Sequence, residues 1–141
     1  MNNNNYTYIT LLSSKEYIWG VLILNKSLQN VKSKYPLTVC LTNDIVDNKI
    51  INILTQENIN YLIVRKLQYK NNSEKGTILN TASKIHIFNF KQFDKIVYID
   101  ADTLVLKNID NLFNYPNGSI VMWPESDLGM SGLFVFTPHS S

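Results

Sequence analysis

YTYITLLSSKEYIWGVLILNKSLQNVKSKYPLTVCL, residues 6–41, decides the fold, because it reads as strand, helix and strand in succession. Tyr6 to Leu12 is short, β-branched and aromatic, and Ser13 and Ser14 behind it suit a helix N-cap. Ile18, Val21, Leu22 and Leu28 then recur at helical spacing until Tyr35-Pro36 stops the pattern, and Leu37 to Leu41 makes a second apolar run. A strand, a crossover helix and a second strand start a parallel sheet. Upstream, Asn2 to Asn5 bury nothing that offsets their ordering entropy, so residues 1–5 are expected to be a disordered polar start to a single domain over 6–141.

The cycle repeats downstream. Thr42-Asn43-Asp44 reads as a turn, Ile50, Ile51, Ile53 and Leu54 mark a helix, and Tyr61 to Val64 is a third strand. Two successive units of this kind predict a doubly wound α/β half of the nucleotide-binding type. Gln68 to Gly76 is a polar loop, after which Ile78, Ala82, Ile85 and Phe88 predict the core stripe of another helix, with Lys84 off that stripe. Lys95 to Ile99 is the next strand. Beyond it Leu104 to Leu106, Ser119 to Met122 and Leu133 to Phe136 are short β-like runs around the Pro116-Asn117-Gly118 turn, predicting a small mixed or antiparallel extension of a mainly parallel sheet.

The composition narrows the function. The 141 residues are 45% hydrophobic and 17% charged, with 13 basic against 11 acidic side chains and a net charge of +2. Nucleic acid or an anionic membrane requires a basic stripe, so neither is the expected partner. The single Cys40 forms no internal disulfide, Met1 is followed by an Asn run rather than a signal segment, and no apolar run approaches the ~20 residues of a membrane span. The expectation is a cytoplasmic protein.

Asp100-Ala101-Asp102 directly follows the apolar strand Lys95 to Ile99. In extended backbone two such carboxylates lie about 6.6 Å apart along one side, and together they repel unless a cation sits between them. Oxygen ligands favour Mg²⁺ or Mn²⁺, and the carboxyl end of a strand is where open α/β sheets bind ligands. The competing reading is a solvated acidic turn. An EF-hand does not fit, because the sixth and twelfth positions from Asp100 hold Val105 and Asn111. A haloacid-dehalogenase-like phosphatase fits poorly, because its aspartate pair follows the first strand and its Thr falls one position later.

FDKIVYIDADTLVLKNIDNLF, Phe93 to Phe113, resembles the central block of the family 8 retaining glycosyltransferases, the group that contains glycogenin and galactinol synthase. The resemblance runs in order along the chain: YITLLSSKEYIWGVLILNKSL is similar to the family's first strand and helix, ASKIHIF to its lysine-bearing helix, and SGLFVFTP to its Ser-Gly strand. It implies a GT-A (Rossmann-like) fold and transfer of a hexose from a uridine-diphosphate sugar, UDP-glucose or UDP-galactose, with retention and with Mn²⁺ or Mg²⁺. By the same resemblance Asp100 and Asp102 are the metal ligands, with Asp100 also near the ribose and Ala101 offering backbone contacts. Lys84 reaches donor phosphate or sugar oxygens, and Leu11, Ser13 and Tyr17 hold the uracil. Lys75 is a basic residue near the donor, and Ser131 and Gly132 line the sugar site. An acceptor of protein, glycan or polyol type is implied, and a homodimer is compatible.

The chain departs from the family pattern at Met130, where an Asn is common, and His139 lacks the setting that supplies the family's third metal ligand. The family's Gly-Asp-Gln-like and acceptor-binding segments have no counterpart among these residues, so no nucleophile or acid/base is assigned. The alternative expectation is a donor-binding module that transfers nothing. Cys40, Trp19 and Trp123 read as packing residues and His86 as a packing or hydrogen-bonding one, with Trp123-Pro124-Glu125 alternatively lining a loop near the site.

Overall fold

The computed structural model describes residues 4–67, 82–122 and 129–138. Its sheet has six strands: β1 (Tyr6–Leu12), β2 (Leu37–Thr42), β3 (Asn60–Val64), β4 (Lys95–Ile99), β5 (Ile120–Met122) and β6 (Gly129–Phe136). The order is β3-β2-β1-β4-β6-β5; β3, β2, β1 and β4 pair in parallel, whereas β6 pairs antiparallel with both β4 and β5. This is the mainly parallel sheet with an antiparallel extension that the spacing predicts. Leu104 to Leu106 is not a strand, however: the Val105 N–H is satisfied by Ser27 Oγ instead of a sheet partner, and Leu104 and Leu106 face outward.

Alternation along the strands builds two cores. Tyr8 and Leu12 of β1, Val39 and Leu41 of β2, and Val97 and Ile99 of β4 face helices α1 (Ile18–Asn30) and α2 (Asn48–Gln56), which contribute Ile18, Val21, Leu24, Leu28, Ile50 and Leu54. Ile9, Leu11, Cys40, Ile96 and Tyr98 face the other way, onto Ile87, Phe90 and Phe93. The helices start and stop for reasons that differ in part from the expectations. Ser14 stands at an N-cap position, but its hydroxyl makes no cap bond; the effective cap is Asp47, whose carboxylate accepts from Ile50 N at 2.8 Å at the start of α2. Helix α1 ends at Asn30, before Pro36, because Lys32 takes a left-handed φ of 55° and Ser33 N turns back to Leu28 O.

Two further expectations are overturned. Ala82–Asn89 forms a 3-10 helix that buries Ser83 and Ile87, while Ala82, Ile85 and Phe88 are exposed, since the tighter winding takes the 3.6-residue stripe off register. Ile78 lies outside the described residues. Trp19 is 68% exposed and so is not a packing residue. At the start of β1, Asn5 donates its N–H to Asp94 and its side-chain amide to Gln92 O, which ties that strand to the approach of β4.

Candidate functional site

β1 and β4 run parallel with Ile9 opposite Tyr98, so both finish at one edge of the sheet. Ligands of open α/β sheets bind beyond such carboxyl ends. Asp100 continues the β4–β6 pairing by donating its N–H to Gly132 O at 2.9 Å, and the chain then turns, with Thr103 N donating to Asp100 O at 3.2 Å. Asp100-Ala101-Asp102 is therefore a turn and not the extended segment assumed from its spacing.

The Asp100 carboxylate is held from behind. Lys84 Nζ and the Tyr98 hydroxyl both donate to Oδ1, each at 2.7 Å. Lys84 is 13% exposed and Asp100 36%, so the pair is shielded more than a surface salt bridge but not dry. The Lys84 ammonium also lies 4.7 Å from the centroid of the Tyr98 ring, which stacks on Phe134 at 4.8 Å. Burial, reinforced by the Asp100 charge and hydrogen bond, drives the Tyr98 hydroxyl far above its ordinary pKa, so it stays protonated and donates.

Asp100 Oδ2 accepts no hydrogen bond from the described residues, and Gly132 leaves it open: a Cβ on that glycine would stand 2.9 Å from it. Asp102 is exposed, and its carboxylate likewise has no partner among the described residues. An unengaged oxygen on the Asp100 carboxylate, with a second carboxylate two residues on that has no partner among the described residues, suits a hard divalent cation. No group of three or more His, Cys, Asp and Glu gathers among the described residues.

Helix α1 fixes the turn from the other side. Gly20 packs so closely that an added Cβ would lie 2.5 Å from Ala101 O, and Ser27 Oγ accepts from Val105 N at 3.1 Å. Ala101 is thereby buried between the two aspartates.

The other expected site residues distribute as follows. Leu11 is buried at the end of β1 on the same sheet face as Tyr98; Ser13 follows half-buried, and Tyr17 is exposed at the start of α1. All three belong to the same carboxyl edge, but neither Ser13 nor Tyr17 is hydrogen-bonded to Asp100 or Asp102. Ser131 lies in β6 beside Gly132, while Lys75, Trp123 and His139 fall outside the described residues. His86 Nε2 is 2.7 Å from Arg65 O, and Cys40 is fully buried with its thiol pushed up to about 12 by burial, so both are structural. Sequence reasoning missed Tyr98 and Gly20. The signal for Tyr98 was its place two residues before Asp100 on one face of a strand, and for Gly20 its position as a glycine inside a helix. A cavity of about 270 Å³ lined by Asn25, Ser33, Lys34, Tyr35 and Asn58 is at the opposite end of the strands and takes no part in this arrangement.

The sheet order and the aspartates beyond β4 belong to the GT-A class of glycosyltransferase folds. Among solved structures, the galactosyltransferase LgtC in complex with donor and acceptor sugar analogs is similar with a TM-score of 0.63 and 14% identity over 93% of this chain and 58% of that one. The apo-form glycosyltransferase GlyE of Streptococcus pneumoniae TIGR4 is similar with a TM-score of 0.63 and 15% identity over 96% of this chain and 34% of that one.

Residues 8–127 match glycosyl transferase family 8, and the chain belongs to that family. Galactinol synthase 6 of Arabidopsis thaliana is 35% identical over 118 residues, covering 79% of this chain and 34% of the relative. Glycogenin-1 of Oryctolagus cuniculus is 33% identical over 141 residues, covering 93% of this chain and 41% of the relative. The chain thus spans between about a third and about two-fifths of the length of these relatives. No helix among the described residues is long and apolar enough to cross a membrane.

Proposed function

We propose that this chain binds the donor of a retaining hexosyltransferase, a UDP-sugar such as UDP-glucose or UDP-galactose, together with Mn²⁺ or Mg²⁺. The observation that supports it most is the Asp100 carboxylate, clamped on Oδ1 and without a donor on Oδ2 among the described residues, two positions before Asp102 in a chain of family 8. Asp100 and Asp102 would hold the cation, whose charge offsets the negative charge that builds on a diphosphate as the sugar departs. Lys84 adds a positive charge at the same edge and fixes the carboxylate's orientation; it is the residue assigned to donor phosphate or sugar oxygens. Ala101 offers backbone to the ligand, Gly132 and Ser131 line the sugar side, and Leu11, Ser13 and Tyr17 form the uracil side, with the exposed Tyr17 ring available for stacking. Lys75 completes the set as a further cation near the donor. The acceptor, protein, glycan or polyol, and a homodimer belong to the same proposal.

A thermal-shift titration tests it. A ligand that binds only the native state adds about 2.7 kcal/mol at a hundred times its Kd, so UDP with Mn²⁺ raises the melting temperature, and Asp102→Asn abolishes the rise. No rise, or a rise that survives Asp102→Asn, would refute the donor site. Metal-dependent UDP release from UDP-glucose or UDP-galactose identifies an enzyme, whereas saturable binding without release identifies a binding module.

A further inference from the structure

Tyr98 has no place in the donor contacts above, yet it is among the most buried large side chains of the molecule and spends its only polar atom on Asp100 Oδ1. We propose that Tyr98 is a positioning residue: with Lys84 it locks the Asp100 carboxylate about its terminal torsion so that Oδ2 is presented, already oriented, on the side that Gly132 keeps free. The inference rests on the donor-site reading.

Three observations carry it. Both donors converge on the same oxygen at 2.7 Å, which leaves Oδ2 without a donor among the described residues. The Tyr98 ring cannot swing, because it is stacked on Phe134 at an interplanar angle of 14° and capped by the Lys84 ammonium. A Cβ on residue 132 would stand 2.9 Å from Oδ2, so any residue but glycine there would crowd that oxygen. A terminal carboxylate torsion is otherwise broad and two-fold, so an unclamped Asp100 would divide its time between orientations. Groups behind a metal's ligands typically change affinity by about 10–100-fold when removed.

The test is Mn²⁺ binding by the whole chain, with UDP present, read from the electron-paramagnetic signal of free Mn²⁺, alongside the melting temperature of the metal-free protein. Tyr98→Phe keeps the ring and removes the hydroxyl; it is expected to raise the Mn²⁺ dissociation constant by about tenfold, the low end of that range, while the metal-free melting temperature stays near that of the parent. Phe134→Leu, which loosens the ring without touching the hydroxyl, should do the reverse, lowering the melting temperature with less effect on Mn²⁺. If Asp102→Asn abolishes binding and Tyr98→Phe binds Mn²⁺ as the parent does, the positioning role is overturned and the donor site stands. If Tyr98→Phe loses affinity only in proportion to lost stability, as Phe134→Leu does, the role is structural and the proposal is again overturned. A parent that holds no Mn²⁺ overturns both readings.

Discussion

Replacing Gly20 by alanine should destabilise the protein, against the usual sign for a glycine inside a helix. In an exposed helix that change gains up to about 1 kcal/mol. Here the new Cβ would meet Ala101 O at 2.5 Å and Ala101 C at 3.2 Å, whereas ordinary contact begins at 3.4 Å, so α1 or the turn must move by roughly 0.9 Å. Neither partner is a side chain that can rotate away. Overpacking of this kind costs about 1–3 kcal/mol, so a cost in the middle of that range outweighs the propensity gain and leaves a net loss of about 1 kcal/mol. At roughly 3–5 °C per kcal/mol for a domain of this size, the melting temperature should fall by about 3–5 °C. Because the displaced turn carries Asp100 and Asp102, the stabilisation by UDP and Mn²⁺ should shrink as well. Differential scanning fluorimetry with and without the ligands reads both effects. An alanine variant that melts higher than the parent and keeps its full ligand shift would refute the close packing of α1 on the turn.

Other perturbations test separate parts of the structure. Thr10 is fully buried and its hydroxyl has no hydrogen-bond partner among the described residues, so the near-isosteric Thr10→Val should raise stability by about 1 kcal/mol, seen as a higher urea midpoint at unchanged slope. Burial pushes the Asp110 carboxyl up, but donors from Ser33, Lys34, Tyr8 and Asn108 outweigh it and hold the group below the usual carboxylate range. The depressed value means that its contribution is fully present above the unfolded pKa of about 3.9 and is lost as pH falls through the lower folded value. Asp110→Ala should therefore flatten the loss of stability in that acid range, and at neutral pH it should cost about 2 kcal/mol by orphaning the Tyr8 hydroxyl. Gly132→Ala should fold but weaken Mn²⁺ binding, since its Cβ would crowd Asp100 Oδ2 at 2.9 Å; an unchanged affinity in a metal titration would show that this oxygen is not the ligand.

Strands were the most legible part of the sequence. β1 and β4 fall at the residues read from YTYITLL and KIVYI, because short apolar, β-branched runs buried on both faces leave little ambiguity. The aspartates were legible for their position after such a strand. What failed was anything that depended on how a short segment winds or who its neighbour is. Ile85 and Phe88 suggested an inward stripe because a 3.6-residue period was assumed, whereas the 3-10 winding turns Ile87 inward and brings Lys84 against Asp100. Leu104-Val105-Leu106 has the composition of a strand but no strand to pair with, so it lies along α1 instead. Tyr98 looked like core, and is core; that its hydroxyl also serves Asp100 is tertiary information carried by one oxygen atom.

The order of the strands bears on how the chain assembles. β1 is made early and lies in the interior of the sheet, but the strand that closes its second edge arrives 89 residues later, Tyr6 pairing with Lys95. Until then that edge offers unpaired N–H and C=O groups along an apolar strand, the surface most prone to capture by another chain. Long-range pairing of this sort also slows folding, because loop-closure entropy is lost before the contacts form. Completion of β4 therefore seals the exposed edge in the same event that sets Asp100 beside the end of β1, so an incomplete chain is at once unable to form the site and open to aggregation.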